Sequence, residues 1–71
     1  MPAPDNGAVE RIGIEIRTMR KEYMLTQQQL AELAGISDRT LRDIEAGREG
    51  PSIGTVVKVL STLGLDLEVR R

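Results

Sequence analysis

The stretch that most constrains this 71-residue chain runs from Thr26 to Gly47, TQQQLAELAGISDRTLRDIEAG. It predicts two short helices meeting at a tight corner. Thr26 is a good N-cap, and Gln29 follows three residues on, where a capping box takes Glu or Gln. Leu30, Leu33 and Ala34 fall at helical spacing and define one inward face. Gly35 suits the helix end, since glycine takes positive φ without a Cβ penalty. Ile36 plugs the corner. Ser37 caps a second helix, whose Leu41 and Ile44 face inward, and Gly47 is placed to end it. Ala31 is small where the two helices approach most closely.

On either side the pattern stays helical. From Gly7 to Tyr23, the residues Val9, Ile12, Ile16, Met19 and Tyr23 recur at three- and four-residue steps and form one apolar stripe. Ile14 falls off it, and Gly13 weakens the helix by about 1 kcal/mol relative to alanine. After the loop Arg48–Pro51, Ser52 caps a last helix carrying Ile53, Val56, Val57, Leu60 and Leu63, with Gly64 to end it. The tail changes period. Leu65, Leu67 and Val69 alternate with Asp66, Glu68 and Arg70, which is a strand signature. A lone strand leaves its backbone groups unpaired, so the tail is expected to pair with its copy across a two-fold axis. The expected organisation is a flexible arm over 1–6, a helical domain over 7–64 and a dimerisation strand over 65–71.

A chain this short buries only about 60% of its unfolded surface, which makes a dimer a useful source of stability. It has no cysteine and no histidine, and these absences remove thiolate and imidazole chemistry from consideration. No glycine-rich phosphate loop is present either, so an enzyme is not expected. Neither metal nor cofactor is expected. No run reaches transmembrane length and the first residues lack the apolar core of a signal peptide, so a cytoplasmic protein is expected. The net charge is −1. Its positive residues nevertheless crowd around the central stretch: Arg17, Arg20, Lys21, Arg39, Arg42 and Arg48.

Helix, glycine-containing turn and helix make a helix-turn-helix. With Gln27, Ala31, Gly35, Leu41, Ile44 and Glu45 at their present spacing, residues 8–64 resemble the Cro/repressor-type (XRE) helix-turn-helix family. The resemblance implies an all-α domain of four to five helices, completed by a short C-terminal strand, that binds double-stranded DNA as a dimer. The second motif helix is then the recognition helix in the major groove. Its outward residues Asp38, Arg39, Thr40, Arg42 and Asp43 are the candidates for base contact. An arginine fork can donate two hydrogen bonds to guanine O6 and N7. The bland alternative is a surface helix laced by Asp38–Arg42 and Arg39–Asp43 pairs. Thr26, Gln27, Ser37, Arg17, Lys21 and Arg48 are candidates for phosphate contact, and for Arg17, Lys21 and Arg48 a solvated face is the competing reading. The resemblance also implies a partly buried ion pair between Arg20 and Glu45.

The ending LSTLGLDLEV is similar to one branch of that family, the HipB-type antitoxins. Membership there implies a homodimer joined through Leu65, Leu67 and Val69, repression of its own operon at a pseudo-palindromic operator, and a HipA-like kinase-fold toxin as partner. The rival reading is a protein-interaction module that neutralises a toxin, with DNA binding secondary or absent.

Overall fold

A computed structural model describes residues 7–70 as four helices: α1 (Gly7–Glu22), α2 (Gln27–Ala34), α3 (Asp38–Glu45) and α4 (Ile53–Thr62). The arm expected over 1–6 and the final residue of the tail lie outside the described residues. No helix among those described is long and apolar enough to cross a membrane.

Side-chain caps set the helix starts. Thr26 accepts the Gln29 N–H at 3.0 Å while the Gln29 side chain accepts the Thr26 N–H at 2.8 Å, a complete capping box. Ser37 and Ser52 cap α3 and α4 by accepting from Thr40 and Thr55. Their ends share one device. In each, a backbone N–H reaches the carbonyl five residues back while the preceding N–H reaches three back: Leu25 to Arg20, Ile36 to Ala31, Arg48 to Asp43 and Leu65 to Leu60. This is the Schellman arrangement, which needs a left-handed residue just past the helix. Glycine fills that place at Gly35, Gly47 and Gly64; α1 alone uses a side-chain-bearing residue, Met24, at φ 58°.

The core forms where α2, α3 and α4 meet the inner face of α1. Ile16, Leu30, Leu41 and Val59 are fully buried there, joined by Ala31, Ala34, Ile44, Leu60 and Leu63. α1 packs on α3, and α2 packs on both α3 and α4.

Expectations of burial at four side chains need correction. Leu33 is 64% exposed rather than inward. Leu30, Ala31 and Ala34 occupy the whole inward arc of an eight-residue helix, and Leu33 lies about 100° off its centre. Ile53, at the first turn of α4, is exposed, as is Val57, because α4 meets its neighbours through Val59, Leu60 and Leu63. Tyr23 falls past the end of α1 and is exposed. No strand forms among the described residues, which offer the tail no second strand to pair with. Leu65 packs on the core, whereas Val69 is 95% exposed.

Candidate nucleic-acid interface

α3 has two unlike faces. Leu41 and Ile44 are buried, while Asp38, Arg39 and Arg42 are exposed. The internal pairing sketched from the sequence, Asp38 to Arg42 and Arg39 to Asp43, is not the one observed. Asp43 instead reaches forward to Arg48, 3.5 Å away, because the left-handed Gly47 turns the chain back over the last turn of α3. Arg39 and Arg42 take part in no ion pair among the described residues.

Behind this face lies a polar clamp. Arg20 donates through Nε to Glu45 Oε2 at 2.7 Å and through Nη2 to Oε1 at 3.0 Å, a two-pronged pairing of planar groups. Its Nη1 donates to the Leu25 carbonyl at 2.8 Å, so one guanidinium ties together α1, the α1–α2 turn and α3. The two side chains are 10% and 4% exposed. Gln27 adds a third member, its amide donating to Glu45 Oε1 at 3.2 Å. The spacing of 18 residues between Gln27 and Glu45 gave no hint of this bond. It orients the Gln27 side chain at the start of α2, where free backbone N–H groups favour an anion.

Hydroxyl groups at both helix starts keep some donor capacity. Thr26 Oγ1 accepts the Gln29 N–H and still has its own hydrogen to give. Ser37 and Thr40 share one hydrogen bond of 2.8 Å, leaving one hydroxyl hydrogen of that pair for an outside acceptor.

The clamp, Thr26 and the exposed arginines of α3 converge on two adjoining open depressions. Arg17, Thr26, Gln27, Arg42 and Ala46 line the first around the Arg20–Glu45 pair, and Arg39, Arg42, Asp43, Ala46 and Arg48 line the second. Arg42 and Ala46 belong to both, so the surface is continuous. Ser37, Asp38, Thr40 and Lys21 line neither; the first three sit at the far end of α3, and Lys21 is exposed on the last turn of α1. Glu45 neutralises Arg20, and Arg48 offsets Asp43. Arg17, Arg39 and Arg42 therefore leave this face positive on a chain whose net charge is −1. Among the described residues no cluster of acidic side chains has the makings of a metal site.

Gly13, a cost to an isolated helix, is structural here. It lies on the buried face of α1 with Ile16 and Arg20. A Cβ at this position would overlap the Ile44 carbonyl oxygen and stand 2.8 Å from that of Glu45. Residue type and spacing do not encode the backbone that fills the space beside it.

A four-helix domain with this corner and this outward helix defines a helix-turn-helix protein. The Helix-turn-helix family model HTH_3 matches residues 16–69, and the chain belongs to that family, one of DNA-binding transcriptional regulators rather than enzymes. It is 43% identical over 58 residues to an uncharacterised HTH-type transcriptional regulator of Sinorhizobium fredii, covering 82% of this chain and 76% of that protein. It is 45% identical over 56 residues to the immunity repressor protein of Bacillus phage phi105, covering 79% of this chain but 39% of the repressor. Among solved structures, an HTH_3 family transcriptional regulator from Vibrio cholerae superposes with a TM-score of 0.75 at 30% identity, over 89% of this chain and 35% of that one. A chain of a HipA-HipB-O2-O3 complex superposes with a TM-score of 0.77 over 100% of this chain and 96% of its own length. At 20% identity that last likeness concerns the fold alone.

Proposed function

We propose that this protein is a sequence-specific repressor that binds a pseudo-palindromic operator in double-stranded DNA as a homodimer. The observation that carries this reading is the exposure of Arg39 and Arg42, without an ion-pair partner among the described residues, on a helix whose opposite face is buried. In the major groove their forks donate to guanine, each good bidentate contact giving about 1–3 kcal/mol of discrimination. Thr26, Gln27 and Arg17 sit where the flanking phosphate backbone passes, with Lys21, Ser37 and Arg48 at its margins. Asp38, Thr40 and Asp43 complete the set facing the bases. Two such helices one turn of B-DNA apart, about 34 Å, read two half-sites.

The dimer in this reading is joined by residues 65–71, whose Leu67 and Val69 are exposed in the single chain and whose alternation suits a two-stranded ribbon. Selection of bound duplexes from a random pool tests the reading. The wild type should enrich a palindromic consensus that the Arg39→Ala/Arg42→Ala variant does not. A wild type that enriches nothing at moderate salt would overturn it.

The end-to-end likeness to a chain of the HipA-HipB complex supports a finer version. Here the protein is a cytoplasmic antitoxin that represses its own operon and binds a HipA-like kinase-fold toxin. That version predicts that the double variant still neutralises the toxin while losing repression.

A further inference from the structure

We propose that Gly13 is a positioning residue for DNA reading: it seats the carboxyl end of α3 directly on α1 and so sets the pose of the recognition helix. The proposal rests on the reading of α3 given above.

Glu45, the last residue of α3, is held at both its ends. Its carboxylate is gripped by Arg20 at 2.7 and 3.0 Å. Its backbone carbonyl, with that of Ile44, lies against the bare Cα of Gly13. Gly13 and Arg20 are seven residues apart on α1, two turns of one face and about 10 Å along the axis. A single residue of α3 therefore bridges two fixed points on α1, and rotation of the helix about either one strains the other.

A second close approach lies just beyond. A Cβ at Gly47 would meet the Glu10 Cα at 3.0 Å and its Cγ at 2.9 Å. The first half of α1 thus touches backbone at the end of α3 and in the turn that follows. By contrast Gly54, the glycine inside α4, would place a Cβ no nearer than 4.0 Å to Ser52. Backbone does not move aside as a flexible side chain does, so a methyl group at Gly13 must lift the end of α3. Arg42, one turn before Glu45, travels with it. The start of α2 is built on the Thr26–Gln29 capping box, so its backbone and Thr26 stay in place, and only the Gln27 side chain loses its bond to Glu45.

This separation makes the proposal testable, because phosphate contacts and base contacts respond differently. Base readout tolerates little displacement, whereas phosphate attraction is long-ranged and indifferent to sequence. The experiment compares binding of the wild-type selected duplex with binding of a scrambled duplex at one salt concentration. Gly13→Ala should lower affinity for the selected duplex about tenfold and leave the scrambled duplex within about twofold. Val59→Ala, a core truncation on α4 rather than at the seam of α1 and α3, serves as the control for lost stability and should leave the ratio of the two affinities unchanged.

Equal losses on both duplexes with Gly13→Ala, or no loss on either, would overturn the proposal. If Gly13→Ala does not fold, the same substitution is measured at low temperature with Met24→Gly, which relaxes the left-handed corner after α1. Failure to fold there as well counts against a positioning role, since it makes Gly13 a requirement of the fold. A wild type that selects no sequence removes the underlying reading together with this one. A selective wild type with an unchanged ratio in Gly13→Ala removes this one alone.

Discussion

The two faces of α3 carry similar residues in opposite circumstances. On the inner side Glu45 is almost fully buried, and each carboxylate oxygen is hydrogen-bonded to Arg20 or Gln27. On the outer side Arg39 and Arg42 are exposed and have no ion-pair partner within the described chain. A charge that is bonded and dehydrated holds elements together, and removing its partner strands it. An exposed charge without a partner contributes little to the fold and is available to something outside. The contrast explains how an acidic protein can present a DNA-binding face: of the acids on α3, Asp43 and Glu45 are spent on internal pairs and Asp38 alone stays exposed without one among the described residues.

The largest effect is expected on the inner side. Glu45→Ala leaves Arg20 buried without its carboxylate and frees Gln27, so unfolding free energy should fall by about 3–5 kcal/mol in a denaturant titration. A loss no larger than that of an exposed pair would mean that the clamp does not hold α3 to α1.

Deletion of residues 66–71 leaves Leu65 in place, whose N–H bonds to the Leu60 carbonyl at 2.8 Å. Light scattering should then report a monomer with its helical content intact, and weaker operator binding. An unchanged mass would place the proposed dimer contact elsewhere.

A smaller effect of opposite sign is expected at Met24. Its left-handed backbone costs a side-chain-bearing residue about 1–2 kcal/mol, partly offset by the greater unfolded-state freedom of glycine. Met24→Gly should therefore raise the melting temperature by a few degrees, since about 1 kcal/mol shifts a domain of this size by roughly 4–8 °C. A lowered melting temperature would show that the Met24 side chain makes a contact worth more than the strain.

Least of all should come from Asp43→Ala. Its partner Arg48 is 71% exposed, and surface pairs of this kind contribute about 0–1 kcal/mol. A shift as large as that of Glu45→Ala would erase the distinction between the two faces.

Local signals made the fold legible. Thr26, Ser37 and Ser52 announce helix starts through short-range hydrogen bonds, and Gly35, Gly47 and Gly64 announce ends through their freedom at positive φ. What was misread depended on neighbours. Leu33 and Ile53 have the right spacing for burial, but α2 and α4 are short and only their best-placed residues reach the seam. At the candidate site, the outward placement of Arg39 and Arg42 follows from the periodicity of Leu41 and Ile44. Gln27's bond to Glu45 and Asp43's pairing with Arg48 depend on how the backbone turns between elements, which residue types do not encode locally. The partner of Arg20 became legible only through the family resemblance, and the reason for Gly13 only through the packing of α1 on α3.

The most direct test of the division between the two faces is to measure stability and DNA selectivity together on one variant, Arg39→Ala/Arg42→Ala. Both residues are exposed, so the melting temperature should stay within a few degrees of the wild type. Binding to the selected duplex should meanwhile fall to the level of a scrambled one. A large fall in melting temperature, or full retention of sequence preference, would contradict the assignment of α3's outer face to DNA.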